Sequence, residues 1–135
     1  MNRTTSAVNT MLEELSHRWQ VQLKLQEGVC ALYGANEKEL AVLEVPEQSE
    51  QLLLHCNIAR EGLTEGDAFN QLALKLNFEM SAMRGCWLAL DEYQALRLCS
   101  SYEINALTVQ KLEALLTGFM HQVDEVRGFF DEIAA

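Results

Sequence analysis

The stretch GVCALYGANEKELAVLEVPEQSEQLLLHCNI, residues 28–58, decides the fold. It holds three runs rich in Val, Leu and Ile, at 29–33, 40–45 and 52–58. The polar turn 34–38 divides the first two, and Pro46 with the polar loop 47–51 divides the last two. Short apolar runs punctuated by Gly, Pro and polar residues read as strands, and connections this short make them antiparallel neighbours.

Working outward, the pattern changes period on both sides. Upstream, Val8, Met11, Leu12, Leu15 and Trp19 recur at helical spacing, with Glu13, Glu14, His17 and Arg18 off the stripe and Thr5 or Ser6 as cap. Between that helix and Gly28, Val21, Leu23 and Leu25 alternate with Gln22, Lys24 and Gln26, the pattern of one extra short strand. Downstream, a loop at 60–66 leads, with Thr64 or Asp67 as cap, into a helix whose stripe is Phe69, Leu72, Ala73 and Leu76. Gly85 opens a strand at 86–90, the turn 91–94 returns to a strand at 95–99, and Thr108 caps a long last helix. Its stripe runs Leu112, Leu115, Leu116, Phe119, Val123, Val126 and Phe130. Gly118 and Gly128 weaken that helix by about 1 kcal/mol each relative to Ala and are candidates for a neighbour's close approach. The order is helix, three strands, helix, two strands, helix, with the possible extra strand after the first helix. This is an α+β domain with helices packed on an antiparallel sheet.

The 135 residues suit one domain spanning the chain, and 49% hydrophobic content with a single Pro supports a packed core. Against 10 basic residues stand 20 acidic ones, for a net charge of −10. A domain so acidic, with its cations scattered, is repelled by phosphate backbones and anionic lipid, so neither nucleic acid nor membrane is expected as partner. Residues 1–7 contain no apolar run of signal-peptide length, and the expected location is the cytoplasm.

Motifs for chemistry are missing. The seven glycines are scattered singly, with no phosphate-cradling loop, and neither G-x-S-x-G nor H-E-x-x-H occurs. His55 adjoins Cys56, but neighbours on a strand point to opposite faces and cannot act as base and nucleophile. Cys30, Cys56, Cys86 and Cys99 form no C-x-x-C pair, so no zinc or other metal site is indicated. If the turn 91–94 closes symmetrically, Leu90 faces Ala95 and Cys86 faces Cys99. A reducing compartment favours two free thiols there over a strained cross-strand disulfide. No cofactor and no catalytic residue is expected.

Apolar surface exceeds what one core needs. In that symmetric register one hairpin face carries Trp87, Ala89, Leu96 and Leu98, and the other carries Cys86, Leu88, Leu90, Ala95 and Arg97. Two largely apolar faces imply that a second subunit covers one of them. On 52–58 and 40–45, Leu53, Leu40 and Val42 sit among polar groups, a mark either of a binding surface or of cover by the domain's own helices.

Six stretches, GVCALY (28–33), AVLEVP (41–46), LLLHC (52–56), LNFEM (76–80), MRGCWLALDE (83–92) and RLC (97–99), closely resemble the DspF/AvrF-type chaperones. Those chaperones serve AvrE-class effectors of plant-pathogenic bacteria and belong to the class I type III secretion chaperones, the Tir-chaperone-like family. The resemblance runs from about residue 20 to residue 100. It implies an acidic homodimer that is not an enzyme, uses no cofactor, and works in the bacterial cytoplasm. It implies a dimer interface on the second helix and following strand, at Leu72, Leu76, Trp87 and Leu88. It also implies a client, the N-terminal segment of an AvrE-class effector, held in extended form against the first helix and sheet at Leu12, Leu15, Trp19, Leu32, Val42 and Leu53. The alternative is a small-molecule-binding or enzymatic α+β domain, which needs polar groups converging on a cavity.

Overall fold

The computed structural model describes residues 3–58 and 67–134. Thr64 and the loop at 60–66 fall outside the described residues. The elements are α1 (Arg3–Trp19), β1 (Val29–Tyr33), β2 (Glu39–Glu44), β3 (Gln51–Asn57), α2 (Asp67–Asn77), the short α3 (Met80–Met83), β4 (Trp87–Leu90), β5 (Leu96–Glu103) and α4 (Val109–Ala134). All five strands join one antiparallel sheet in the order β1-β2-β3-β5-β4, so β1 and β4 are its edges. The α+β reading and the element order hold.

One face of the sheet is the core. Cys30 and Leu32, Leu43, Leu52 and Leu54, and Leu96 and Leu98 point to it from successive strands, each a residue apart from a neighbour on the other face. Onto it pack α1, through Val8, Met11, Leu12 and Leu15, and α4, through Leu112, Leu116, Phe119, Val123, Val126 and Phe130. Both stripes are those read from helical spacing, except that Leu115 of α4 is only half-buried and lies outside the core. α1 begins at Arg3, so Thr5 and Ser6 lie inside its first turns rather than capping it. Thr108 does cap α4, its Oγ1 accepting from the N–H of Lys111 at 3.1 Å. A Cβ at Gly118 or Gly128 would meet no atom within 4 Å, so no close approach within the chain accounts for either glycine.

Two departures from the alternation patterns matter for function. The segment 21–25 is extended but pairs with no strand. Asn9 Oδ1 accepts from the Leu25 N–H at 2.9 Å, and Ser16 Oγ takes the Leu23 N–H at 2.9 Å, so α1 side chains capture this backbone. Only Gln26 reaches β1, in a bridge to Val29 closed by the two-residue turn Glu27-Gly28 with φ of 53° and 80°. Positive φ at both positions suits the right-handed twist of a hairpin. Gly28 is required twice over, because a Cβ there would sit 2.8 Å from the Val45 carbonyl oxygen.

The β4–β5 hairpin is the second departure. Leu90 faces Leu96 and Trp87 faces Cys99, one residue out from the symmetric register. Asp91 Oδ1 accepts from the N–H groups of both Tyr93 (2.8 Å) and Ala95 (3.0 Å), and Gln94 takes φ of 65°, so the turn absorbs Ala95 as well. A one-residue slip exchanges faces. Leu96 and Leu98 therefore join Leu88 in the core, and Arg97 and Cys99 join Trp87 and Ala89 opposite. Cys86 does not face Cys99, and all four cysteines are free thiols. The second face of this hairpin is not a continuous apolar surface.

Candidate functional site

Because 21–25 stays with α1, a cleft opens between it and the edge of β1. This cavity, about 330 Å³, is lined by Trp19, Val21, Leu23, Leu32, Leu40 and Met120, with Ala31 and Tyr33 along one side. Trp19 is held there by its indole N–H, which donates to Glu113 Oε2 at 2.7 Å, while Arg18 pairs with the other oxygen of Glu113 at 3.0 Å. The cavity wall thus has a fixed aromatic plate tied to α4.

The neighbouring strand edge is unpaired. Val29 gives both backbone groups to Gln26, and Gly28 pairs inward with Val45. By alternation along an antiparallel strand, Ala31 and Tyr33 also point their N–H and C=O groups outward. Among the described residues neither has a backbone partner on that side. Here an apolar cavity and an open length of sheet edge meet.

The residues expected to contact a client fall in three places. Leu12 and Leu15 are 0% exposed and belong to the core, so they cannot offer surface. The α1 stripe is needed whole to cover the sheet. Trp19 and Leu32 line the cavity. Val42 and Leu53 lie on the opposite face of the sheet, Val42 buried and Leu53 half-buried, and the structure does not bring them to the cavity. Val21 and Met120 are cavity residues missed at the sequence level, while Leu40, read there among polar groups as a mark of a binding surface or of cover by the domain's own helices, lines the cavity. The extra-strand reading assigned Val21 to sheet pairing, and Met120 comes from a helix too distant in sequence to nominate.

At the centre of that opposite face is a polar network. The Arg97 Nε–H donates to His55 Nδ1 at 2.9 Å, and Arg97 pairs with Glu39 at 2.6 Å, while His55 Nε2 lies 3.5 Å from Glu44. Burial, followed by the Arg97 charge, holds the His55 pKa below its ordinary value against the opposing pull of Glu44 and Glu39. The imidazole is accordingly neutral and accepts from Arg97. These groups strap β2, β3 and β5 together. Cys56, next in sequence, is on the core face with its thiol pushed up to about 11 by burial, so it is neither near His55 nor ionised for attack. Burial and the nearby Cys99 push Cys86 up to about 11 as well. Among the described residues no cluster of three or more His, Cys, Asp or Glu is placed to hold a metal ion, and no helix is long and apolar enough to cross a membrane.

A larger cavity of about 640 Å³ lies beyond the Glu27-Gly28 turn, lined by Thr5, Asn9, Leu25, Glu27, Val45 and Glu47. The Asn9 oxygen is already committed to Leu25, and the two carboxylates that line this cavity, Glu27 and Glu47, are joined there by no histidine or cysteine. The smaller cleft, with its adjoining edge, is the better-formed site.

Of the residues expected at a dimer interface, Leu88 is buried in the core, Leu72 and Leu76 are half-buried against it, and Trp87 is exposed. Beside Trp87, the large exposed apolar side chains of this region are Leu74 (68% exposed), Phe78 (80%) and Met80 (72%) on α2, α3 and their junction, with Leu90 and Tyr93 after them. The 3.6-residue stripe of α2 identified its inner face. Its outer face carries Leu74, while Phe78 follows the helix end and Met80 opens the four-residue α3, too short to show a stripe.

A model of the Tir chaperone protein (CesT) family matches residues 10–127. No curated relative matches the chain in sequence. Among solved structures, the ExsC–ExsE complex aligns with TM-score 0.80 at 20% identity, covering 96% of this chain and 97% of that one. The HopA1–SchA chaperone–effector complex aligns at 0.75 and 21% identity, covering 95% and 98%. The Yersinia pestis type III secretion chaperone SycH, in complex with a fragment of YscM2, aligns at 0.58 and 18% identity, covering 87% and 98%. At such identities these likenesses show a shared fold.

Proposed function

Because the chain belongs to the Tir chaperone protein (CesT) family, we propose that it is a cytoplasmic, non-enzymatic type III secretion chaperone that holds the N-terminal region of one effector in extended form. The observation that carries this reading is the coincidence of the apolar cleft at Trp19 with the open β1 edge at Ala31 and Tyr33. An extended chain laid there adds a strand to the sheet and places one large apolar side chain between Trp19, Leu23, Leu32 and Met120. Filling the cleft contributes about 1.5–3 kcal/mol, and each strand hydrogen bond about 0.5–1.5 kcal/mol net. Those gains must exceed the cost of ordering the client, which is why a long contact is needed. Chaperone–effector pairing in a structural relative supports this reading, and the six matching stretches favour an AvrE-class effector as client. The chaperone is a homodimer, its copies meeting through the exposed side chains between Leu74 and Leu90.

The test uses a variant that leaves the core alone. Val21 is 49% exposed and lines the cleft, so Val21→Asp is expected to fold with unchanged melting temperature. It places a carboxylate where the client's apolar side chain must sit, at a cost of about 2 kcal/mol. Titration calorimetry with a recombinant N-terminal fragment of an AvrE-class effector should show affinity reduced roughly thirtyfold. Unchanged affinity would remove the cleft from the binding site.

A further inference from the structure

The sheet has two edges, and an extended chain could in principle add to either. The structure treats them differently. On β4, the outer edge is occupied at Leu88 by a side chain: Asn77 Oδ1 accepts from the Leu88 N–H at 2.7 Å, and Asn77 Nδ2 donates to the Leu88 carbonyl oxygen at 3.1 Å. The primary amide thereby reproduces both hydrogen bonds that a neighbouring strand would make. The next outward group before it, the Cys86 N–H, is taken by the Met83 carbonyl at 2.9 Å, and beyond Leu90 the chain enters its turn with Asp91 bonded to Ala95 at 2.9 Å. Among the described residues only Leu90 is left on that edge, too little for a strand to pair with. On β1 the corresponding closure stops at Val29, leaving Ala31 and Tyr33 in sequence.

We propose that Asn77 is the specificity-determining residue of the sheet: by standing in for a sixth strand at Leu88, it confines chain addition to the β1 edge and bars a second copy or a second extended segment from pairing with β4. The residues around the closed edge make the need plain. Leu74, Phe78, Met80 and Leu90 are apolar and exposed, and an open strand edge beside such groups is a template for uncontrolled pairing. Asn77 is the last residue of α2, so the helix that carries the exposed Leu74 and leads directly into Phe78 also carries the stopper. With the edge closed, contacts between copies on this side are made by side chains, and the sheets of two copies stay separate. This inference rests on the reading of β1 as the client edge only for its functional meaning. The closure of β4 stands or falls alone.

Amide hydrogen exchange and sedimentation on the full chain test it together. In the unmodified protein the Leu88 N–H should exchange roughly tenfold or more slowly than the Leu90 N–H, although both lie on an edge strand. In Asn77→Ala, Leu88 should exchange as fast as Leu90, and sedimentation over a dilution series should show species larger than those of the unmodified protein, growing with concentration. Asn77→Asp keeps the acceptor for the Leu88 N–H and loses the donor to its carbonyl, so slowed exchange should persist while association appears in weaker form. If Asn77→Ala does not fold, this variant and the exchange rates of the unmodified chain decide the matter. Equal rates at Leu88 and Leu90 in the unmodified protein overturn the proposal. So does a lower melting temperature in the variants with no change in their size distribution, since that is what a merely structural asparagine would give. Absence of new protection at Ala31 and Tyr33 in the client complex would strike the client reading and leave the Asn77 result untouched.

Discussion

Leu12→Ala is expected to lower the free energy of unfolding by about 2–5 kcal/mol, as read from the midpoint of urea denaturation. Leu12 is fully buried with Leu15 in the core that α1 shares with the sheet and α4, so truncation removes burial and leaves a cavity that the surrounding side chains cannot close without moving. A domain of this length has a total stability of only about 5–15 kcal/mol, and the change therefore takes a large share of it. The resemblance assigned Leu12 to client contact, and the two roles separate cleanly. A core role predicts lost stability, and at a temperature where the variant remains folded its affinity for the effector fragment stays within about twofold of the parent. A stable Leu12→Ala protein that binds weakly would restore Leu12 to the site and show that α1 leaves the sheet when the client arrives.

The second large effect concerns assembly. In the proposed homodimer, Phe78→Asp combined with Met80→Asp is expected to give monomer in sedimentation equilibrium, raising the dissociation constant by roughly a thousandfold at about 2 kcal/mol per substituted position, counted over both copies. Both side chains stand largely in water in the isolated chain, so neither substitution removes a core contact and the monomer should keep its melting behaviour apart from the lost linkage to dimerisation. Exposed aromatic and thioether side chains grouped on one helix–turn–strand unit are what a subunit interface buries. A double variant that sediments as the parent does would place the contact elsewhere.

Much of the fold was legible because its elements have clear periods. The α1 and α4 stripes and β1, with its flanking Gly28, are found where the spacing puts them. The site was less legible, for identifiable reasons. Alternation at Val21, Leu23 and Leu25 reports that every second side chain is buried, which is true of Leu23 and Leu25, but it says nothing about who takes the backbone. Asn9 and Ser16 take it, and the cleft exists because they do. The β4–β5 register turned on one aspartate: Asp91 binding two amides lengthened the turn by a residue and moved Leu96 and Leu98 into the core. With that slip, the argument for dimerisation from two apolar hairpin faces gives way to one from exposed groups on α2 and α3. Trp19 and Leu32, which the resemblance assigned to client contact, line the cleft because one ends an amphipathic helix and the other sits on an edge strand beside it. Val42 and Leu53 were placed by their mixed surroundings on the sheet, which mark the face of the Arg97–His55 network rather than the client edge.

In the proposed complex a client chain joins the sheet at β1. Amide exchange at Ala31 and Tyr33, measured with and without the bound N-terminal effector fragment, tests it directly. Strong new protection at both N–H groups, with Leu53 and Cys99 on the opposite face unchanged, is the predicted result. Unaltered exchange at Ala31 and Tyr33 in a complex that has demonstrably formed would contradict it.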